Sequence, residues 1–196
     1  MKVQTILAHP LPDSFAAAVQ RRAAERLRDA GHEVIETDLY AEGFQPALTP
    51  AERASYFEPG YDASAVRPLV ERLTESEALV FCFPHWWFDT PAILKGYFDR
   101  VWVPGVTFRH DLAGGRIVPL LDRLRSVTVL TSFGSPWWVV ELYMRNPARR
   151  ILKNGVLTAC APKARFRYLA LHDMDRATAA DRARHLARVD RMMDRL

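Results

Sequence analysis

The sequence predicts an α/β fold: one doubly wound, five-stranded parallel sheet with helices on both faces. Three observations lead there. Short apolar runs alternate with amphipathic helical segments along the 196 residues, the pattern of successive βα units. The run at 78–83 is continuous in apolar character rather than alternating, as in a strand covered on both faces, and 3–8 and 127–132 read as further short strands. The chain also opens β-α-β, which makes its first two strands parallel neighbours joined by a right-handed crossover.

The elements follow in order. Strand 3–8 breaks at His9-Pro10-Leu11-Pro12, and Asp13 or Ser14 caps a helix to about residue 30. Phe15, Val19, Ala23 and Leu27 fall on one face of that helix, and Gly31 suits its C-terminal cap. Residues 33–38 form the second strand. The stretch 39–61 carries Gly43, Pro46, Pro50, Pro59 and Gly60 and reads as a long excursion with a short helix at 51–55. Excursions of this length cover a site or embrace a partner. A helix over 63–76 precedes the central strand 78–83, which Pro84 stops. Asp89 or Thr90 caps the next helix, 91–101, with Pro91 in its first turn. Residues 109–115 read as a loop and 117–121 as a short edge element. Strand 127–132, a helix over 147–155 closed by Gly155, strand 166–171 and an amphipathic helix over 178–195 complete a single domain spanning 1–196.

Composition narrows the function. With 49% hydrophobic and 26% charged residues, the chain resembles neither a disordered nor a membrane-spanning protein. No secretory leader pattern opens it, which predicts a cytoplasmic protein without membrane insertion. Cys82 and Cys160 form no Cys-x-x-Cys pair, and the histidines show no metal-ligand spacing, so no metal site is expected. The net charge of +4 comes with no nucleic-acid-binding motif. The arginines between 182 and 195 interleave with aspartates as on a solvated helix face, which leaves a mild attraction to small anions.

Ligands of such sheets bind beyond the carboxyl ends of the strands, where strand order reverses. That places three loops together: 9–14, 84–89 and 132–136. The first enters a helix N-terminus, a place for a phosphate, with His9 and Ser14 as added donors. The second presents His85, Trp86, Trp87 and Phe88, three adjacent rings that are hard to bury by accident. The third brings Thr131, Ser132 and Gly134. Together they suit a large flat ring with hydrogen bonds at its edge, and a flavin meets that description. No G-x-G-x-x-G, Walker A or G-x-S-x-G sequence is present.

The chain resembles the flavodoxin-like NAD(P)H:quinone oxidoreductases, the DT-diaphorase and modulator-of-drug-activity group. The resemblance rests on Ala8-His9 with Ser14-Phe15, on Asp38-Leu39-Tyr40-Ala41 with Phe44 and Pro46, and above all on Phe83-Pro84, Trp87-Phe88, Pro91-Ala92-Ile93-Leu94-Lys95-Gly96 and Phe98-Asp99-Arg100-Val101. It implies a flavodoxin-like homodimer that binds a flavin, FAD slightly ahead of FMN, with NAD(P)H as hydride donor and a quinone-like aromatic acceptor in a ping-pong cycle. His9, Ser14, Phe15 and Ala16 would meet the phosphate. Pro84, His85, Trp86, Trp87 and Phe88 would line the ring, and Thr131, Ser132, Phe133 and Gly134 its edge. Trp87, Phe88, Phe108, Trp137 and Trp138 would form the acceptor pocket. Phe133 stands where the family carries a glycine, which implies a different loop or cofactor pose. Tyr143 is the catalytic candidate, against the plainer reading of helix-face packing. His85 adds a protonatable group. Two other roles stay open: a one-electron carrier, marked by a stable one-electron form on titration, and a regulatory flavoprotein partner of a membrane transporter.

Overall fold

The computed structural model describes residues 1–57, 63–111 and 115–196, so Pro59 and Gly60 of the predicted excursion and 112–114 of the predicted loop lie outside the described residues. Five parallel strands form the main sheet in the order β2-β1-β3-β6-β7. These are β1 (Lys2–Leu7), β2 (Glu33–Asp38), β3 (Ala78–Pro84), β6 (Ser126–Ser132) and β7 (Arg165–Leu171), and the order is the flavodoxin-like one. The apolar runs became strands because both of their faces are covered. Val3, Leu7, Val80, Cys82, Leu130 and Leu169 point to one side, where α1 (Phe15–Asp29) and α7 (Ala179–Met193) pack. Ile6, Leu79, Phe81, Phe83 and Val129 point to the other, with Leu73 of α3 (Arg67–Glu75) and Leu94 and Tyr97 of α4 (Ala92–Val101). Cys82 is buried and its thiol is held far above the usual range by desolvation, as fits a small core hydrophobe.

Local chemistry sets the helix ends. The Ser14 hydroxyl accepts from the Ala17 N–H at 3.2 Å, capping α1. Gly31 closes the same helix with φ of 80°, a conformation in which glycine is favoured. At α4 the expected cap is absent: Asp89 accepts from the adjacent Thr90 N–H at 2.7 Å, and Pro91 opens the helix without a side-chain cap.

Three expectations are corrected. Part of the 109–115 loop is strand β4 (Phe108–His110), paired antiparallel with β5 (Ile117–Pro119) in a hairpin of its own. The 147–155 helix does not stop at Gly155. It starts as α5 (Pro147–Arg150), widens into a π-helix over Ile151–Leu157 and ends as α6 (Thr158–Cys160). Gly155 is not in the left-handed region, so it offers no cap, and buried Leu152 and Leu157 hold the rod to the core. The 39–57 excursion, with α2 (Pro50–Ala54), is fastened to α4 rather than loose over a site. Pro46 packs so closely on Gly96 that a Cβ there would lie 2.3 Å from the proline backbone. Arg100 binds Glu52 at 2.5 Å with both side chains buried, and also donates to the Gln45 carbonyl.

Candidate functional site

At the carboxyl ends of β3 and β6 two loops face each other across a cavity of about 590 Å³. One wall is Pro84, His85, Trp86, Trp87 and Phe88; the other is Ser132, Phe133, Gly134, Ser135 and Pro136, with Met174 and Asp175 closing the end. The first wall turns on two residues. Trp86 and Asp89 exchange both backbone hydrogen bonds, at 3.2 and 3.1 Å, so Trp87 and Phe88 sit at the corners with φ of 53° and 62°. Paired positive φ values make this a primed turn, whose corners favour Asn and Gly. Bulky residues there cost about 1–3 kcal/mol each, a strain that surrounding structure must hold. The turn presents Trp87, 98% exposed, to solvent.

His85 supplies the holding contacts. Its Nδ1 lies 3.1 Å from the Asp89 carbonyl oxygen, which can only accept, so Nδ1 carries the proton. Nε2 therefore accepts from the Tyr168 hydroxyl at 2.8 Å. Its backbone N–H donates to Ser132 O at 2.8 Å, across the cavity floor. Desolvation pushes the imidazole down to about 4, so it is neutral at physiological pH and buried under the wall. His85 thus borders the cavity as expected, but its imidazole stays neutral there and is tied up in structural hydrogen bonds. Tyr168 approaches Asn146 Oδ1 at 3.5 Å, and Asn146 donates to Glu141 at 2.8 Å. With its one proton given to His85, the Tyr168 hydroxyl has none for Asn146, so the hydrogen-bonded chain from the turn ends at Tyr168. Asn146 to Glu141 is a separate link to the π-helix Val139–Tyr143.

Phe133 does not intrude on the cavity in the way its side chain implied. The ring is 2% exposed, stacked on His85 at 4.0 Å and on His172 at 5.4 Å. Its side chain is spent in the core, and the backbone of 133–134 remains to form the wall. Gly134 is held close to Asp175, whose carboxylate would lie 2.6 Å from a Cβ. Thr131 sits deeper, its hydroxyl bound to Phe83 O at 2.5 Å, and does not line the cavity.

The phosphate-loop residues come to the same end of the sheet. The His9 ring lies 5.8 Å from Trp86 and accepts at Nδ1 from Leu11 N–H at 3.0 Å, leaving Nε2–H of the neutral ring free. The N–H groups of Phe15 and Ala16 have no partner among the described residues, as first-turn donors do not. Phe108 is elsewhere. It lines a separate apolar cavity of about 340 Å³ with Phe98, Trp102, Ile151 and Leu152. Trp137 and Trp138 are exposed beyond Pro136, and Tyr143, 78% exposed, lines neither cavity. That exposure overturns helix-face packing as its role. The sequence reading missed Tyr168, Asn146, Met174 and Asp175. Of these only Asn146 left a local signal, a helix cap before Pro147; it accepts from Arg149 N–H at 3.2 Å.

The family model described as flavodoxin-like fold matches residues 1–193. A ribosyldihydronicotinamide dehydrogenase (quinone) of Pongo abelii is 34% identical over 181 residues, 83% of this chain and 78% of that one. The chain belongs to the flavodoxin-like quinone-oxidoreductase family. Another member of this family of flavodoxin-like folds, an uncharacterized NAD(P)H oxidoreductase of Escherichia coli (strain K12), is 35% identical over 109 residues, 55% of each chain. The chain thus spans about half the length of that curated relative. An NAD(P)H:quinone oxidoreductase from Methanothermobacter marburgensis superposes with a TM-score of 0.86 at 27% identity, covering 99% of this chain and 98% of the other.

Proposed function

We propose that this protein is a flavin-dependent NAD(P)H oxidoreductase that delivers two electrons to quinones or similar flat aromatic acceptors in a ping-pong cycle. The observation that carries the reading is the cavity of about 590 Å³, walled by rings on one side and by small residues on the other. The residues fit a flavin. Free first-turn N–H groups at Phe15 and Ala16, with His9 Nε2–H, would hold a phosphate. The N–H groups of Trp87, Phe88 and Gly134, unpartnered among the described residues, border the cavity and would meet a ring edge. When bound, the flavin would accept hydride from NAD(P)H and pass the electron pair to the acceptor. The chain's part would be to orient the ring, stabilise negative charge at its edge through those N–H groups, and exclude water with Trp87 and Phe88. Trp137 and Trp138 would extend the stacking surface for the acceptor, and Phe108 would act only where its own cavity joins that surface.

FAD is proposed ahead of FMN. The excursion begins at Leu39, beside β1 and its phosphate loop, where Leu7 pairs with Asp38, and so could meet an adenosine. A homodimer is proposed because Trp87, Trp137, Trp138, Leu142, Tyr143 and Ile151 are all exposed, an apolar surface of the kind that marks an interface. Tyr143 could take a catalytic part only across such an interface. Two buried free thiols fit a cytoplasmic setting, and no helix among the described residues is long and apolar enough to cross a membrane. The test is direct: the purified protein is expected to be yellow and to oxidise NADPH or NADH with a quinone. A colourless protein that neither FMN nor FAD can load overturns the reading, and release by denaturation followed by chromatography decides between the two flavins.

A further inference from the structure

Helix α7 has two electrostatic faces. Asp190 and Asp194, four residues apart, turn to α1. There Asp190 takes a bidentate contact from Arg22, 2.7 Å to each oxygen, and Asp194 pairs with Arg26 at 2.5 Å. Arg188, Arg191 and Arg195 repeat at i, i+3 and i+7 and share another face. They meet Arg165 and Arg167 of β7, which project on the same side of the sheet as Leu169 because side chains alternate along a strand. These five arginines line one cleft of about 600 Å³, and none of its described lining residues is a carboxylate. None of the five is ion-paired among the described residues. Arginines and aspartates do interleave on solvated surface elsewhere, as at Arg184 with Asp181 and where α7 meets α1; on this face the aspartates are turned away.

The whole chain carries a net charge of +4, so without these five cations the remainder is net negative by one. What sets the cleft apart is that its five cations face one space with no carboxylate among its described lining residues. Arg167 is held below its usual range first by burial and then by Arg165 beside it. Protection of the β7 edge against strand pairing accounts for charges on the strand. It does not account for three more on a helix aimed at the same space.

We propose that this cleft binds a small, multiply phosphorylated anion. Guanidinium forks match phosphate oxygens bidentately. Arg167 is partly committed, donating to Ser126 Oγ and to the Arg195 carbonyl, and the other four still exceed what one orthophosphate can engage. A cleft of this volume suits a ligand of nucleotide size. The cleft and the cavity at the strand ends share no lining residue. Tyr168 borders the cleft and bonds His85 of the cavity wall, but Arg165 pairs with Ser126 at the start of β6, about 20 Å from Ser132 at roughly 3.3 Å per residue.

The test is calorimetric titration of the full chain with sodium tripolyphosphate, which needs no flavin and so fails or succeeds independently of the redox reading. One saturable site is expected, at least tenfold tighter than for orthophosphate and weaker at high salt. Arg188→Gln with Arg191→Gln, and separately Arg165→Gln with Arg195→Gln, are each expected to weaken binding at least tenfold. All four residues are exposed, so the fold should stand, with an unchanged melting temperature as the check. Arg176→Gln with Arg184→Gln, whose partners are Asp173 and Asp181, should leave affinity unchanged. ATP is expected to compete one for one. Absence of saturable binding, equal loss in the control pair, or duplex DNA or anionic vesicles that bind without displacement by tripolyphosphate would each overturn the proposal.

Discussion

The His85 imidazole can tie Asp89 to Tyr168 only while neutral and in one tautomer, and burial among Phe83, Phe133 and Tyr168 enforces that state. His85→Leu removes both ties and leaves the buried Tyr168 hydroxyl only the long, 3.5 Å approach to Asn146 Oδ1. The expected cost is about 1–3 kcal/mol in urea unfolding, with at least tenfold weaker flavin retention as the strained turn relaxes. His85→Asn keeps a donor where Nδ1 stands and is expected to recover retention. Equal losses in the two variants would discard the hydrogen-bond account. At this scale the sequence was informative where a residue acts on its neighbours. Ser14 as a cap and the ring cluster at 86–88 were legible because their roles are local. Tyr168 was not, since its meaning comes from a partner 83 positions away. Phe133 was legible as a departure from glycine but not in its consequence, because only the fold places two imidazoles around it.

The contact between α4 and the excursion carries the sharpest prediction among the elements. Gly96→Ala forces a Cβ into the Pro46 backbone, which cannot give way as a flexible side chain does. A loss of about 1–3 kcal/mol or more is expected by chemical denaturation. Arg100→Met leaves Glu52 buried without its partner, and about 3–5 kcal/mol should be lost. A result within 0.5 kcal/mol of the parent, roughly the scatter of a neutral surface change, would mean the excursion is not fastened there. The central strand β3 was legible because double burial writes a continuous apolar run over Ala78–Phe83; the edge strands β2 and β7, only partly buried, were legible from their place between helices. The β4–β5 hairpin was not, for strands of three residues fall below any periodic signal. Gly155 misled because glycine permits a stop without requiring one.

Acid should unfold the whole molecule earlier than its carboxylates alone would dictate. His85 and His185 are both pushed down to about 4 by burial, against about 6.5 in an unfolded chain. The unfolded state therefore takes up protons first. Stability should be intact above pH 6.5, fall as pH drops toward 4, and lose this dependence below that. Urea midpoints at pH 7, 5.5 and 4.5 test it, and His185→Phe is expected to flatten the curve; an unchanged midpoint down to pH 4.5 contradicts it. The proposed dimer has its own check. Trp138→Glu should shift sedimentation from dimer to monomer, and a monomeric parent would remove the proposal.

The strand order has a consequence for synthesis. Strand β1 is made first yet lies inside the sheet, between β2 and β3. A growing chain can cover one flank of β1 early with the hairpin-like β-α-β start. The other flank waits until β3, more than 70 residues later, has left the ribosome. Nascent chains halted before that point would carry an open, apolar strand flank, the kind of surface that recruits chaperones or seeds association. The vulnerable moment in this protein's life falls during translation, before its central strand exists.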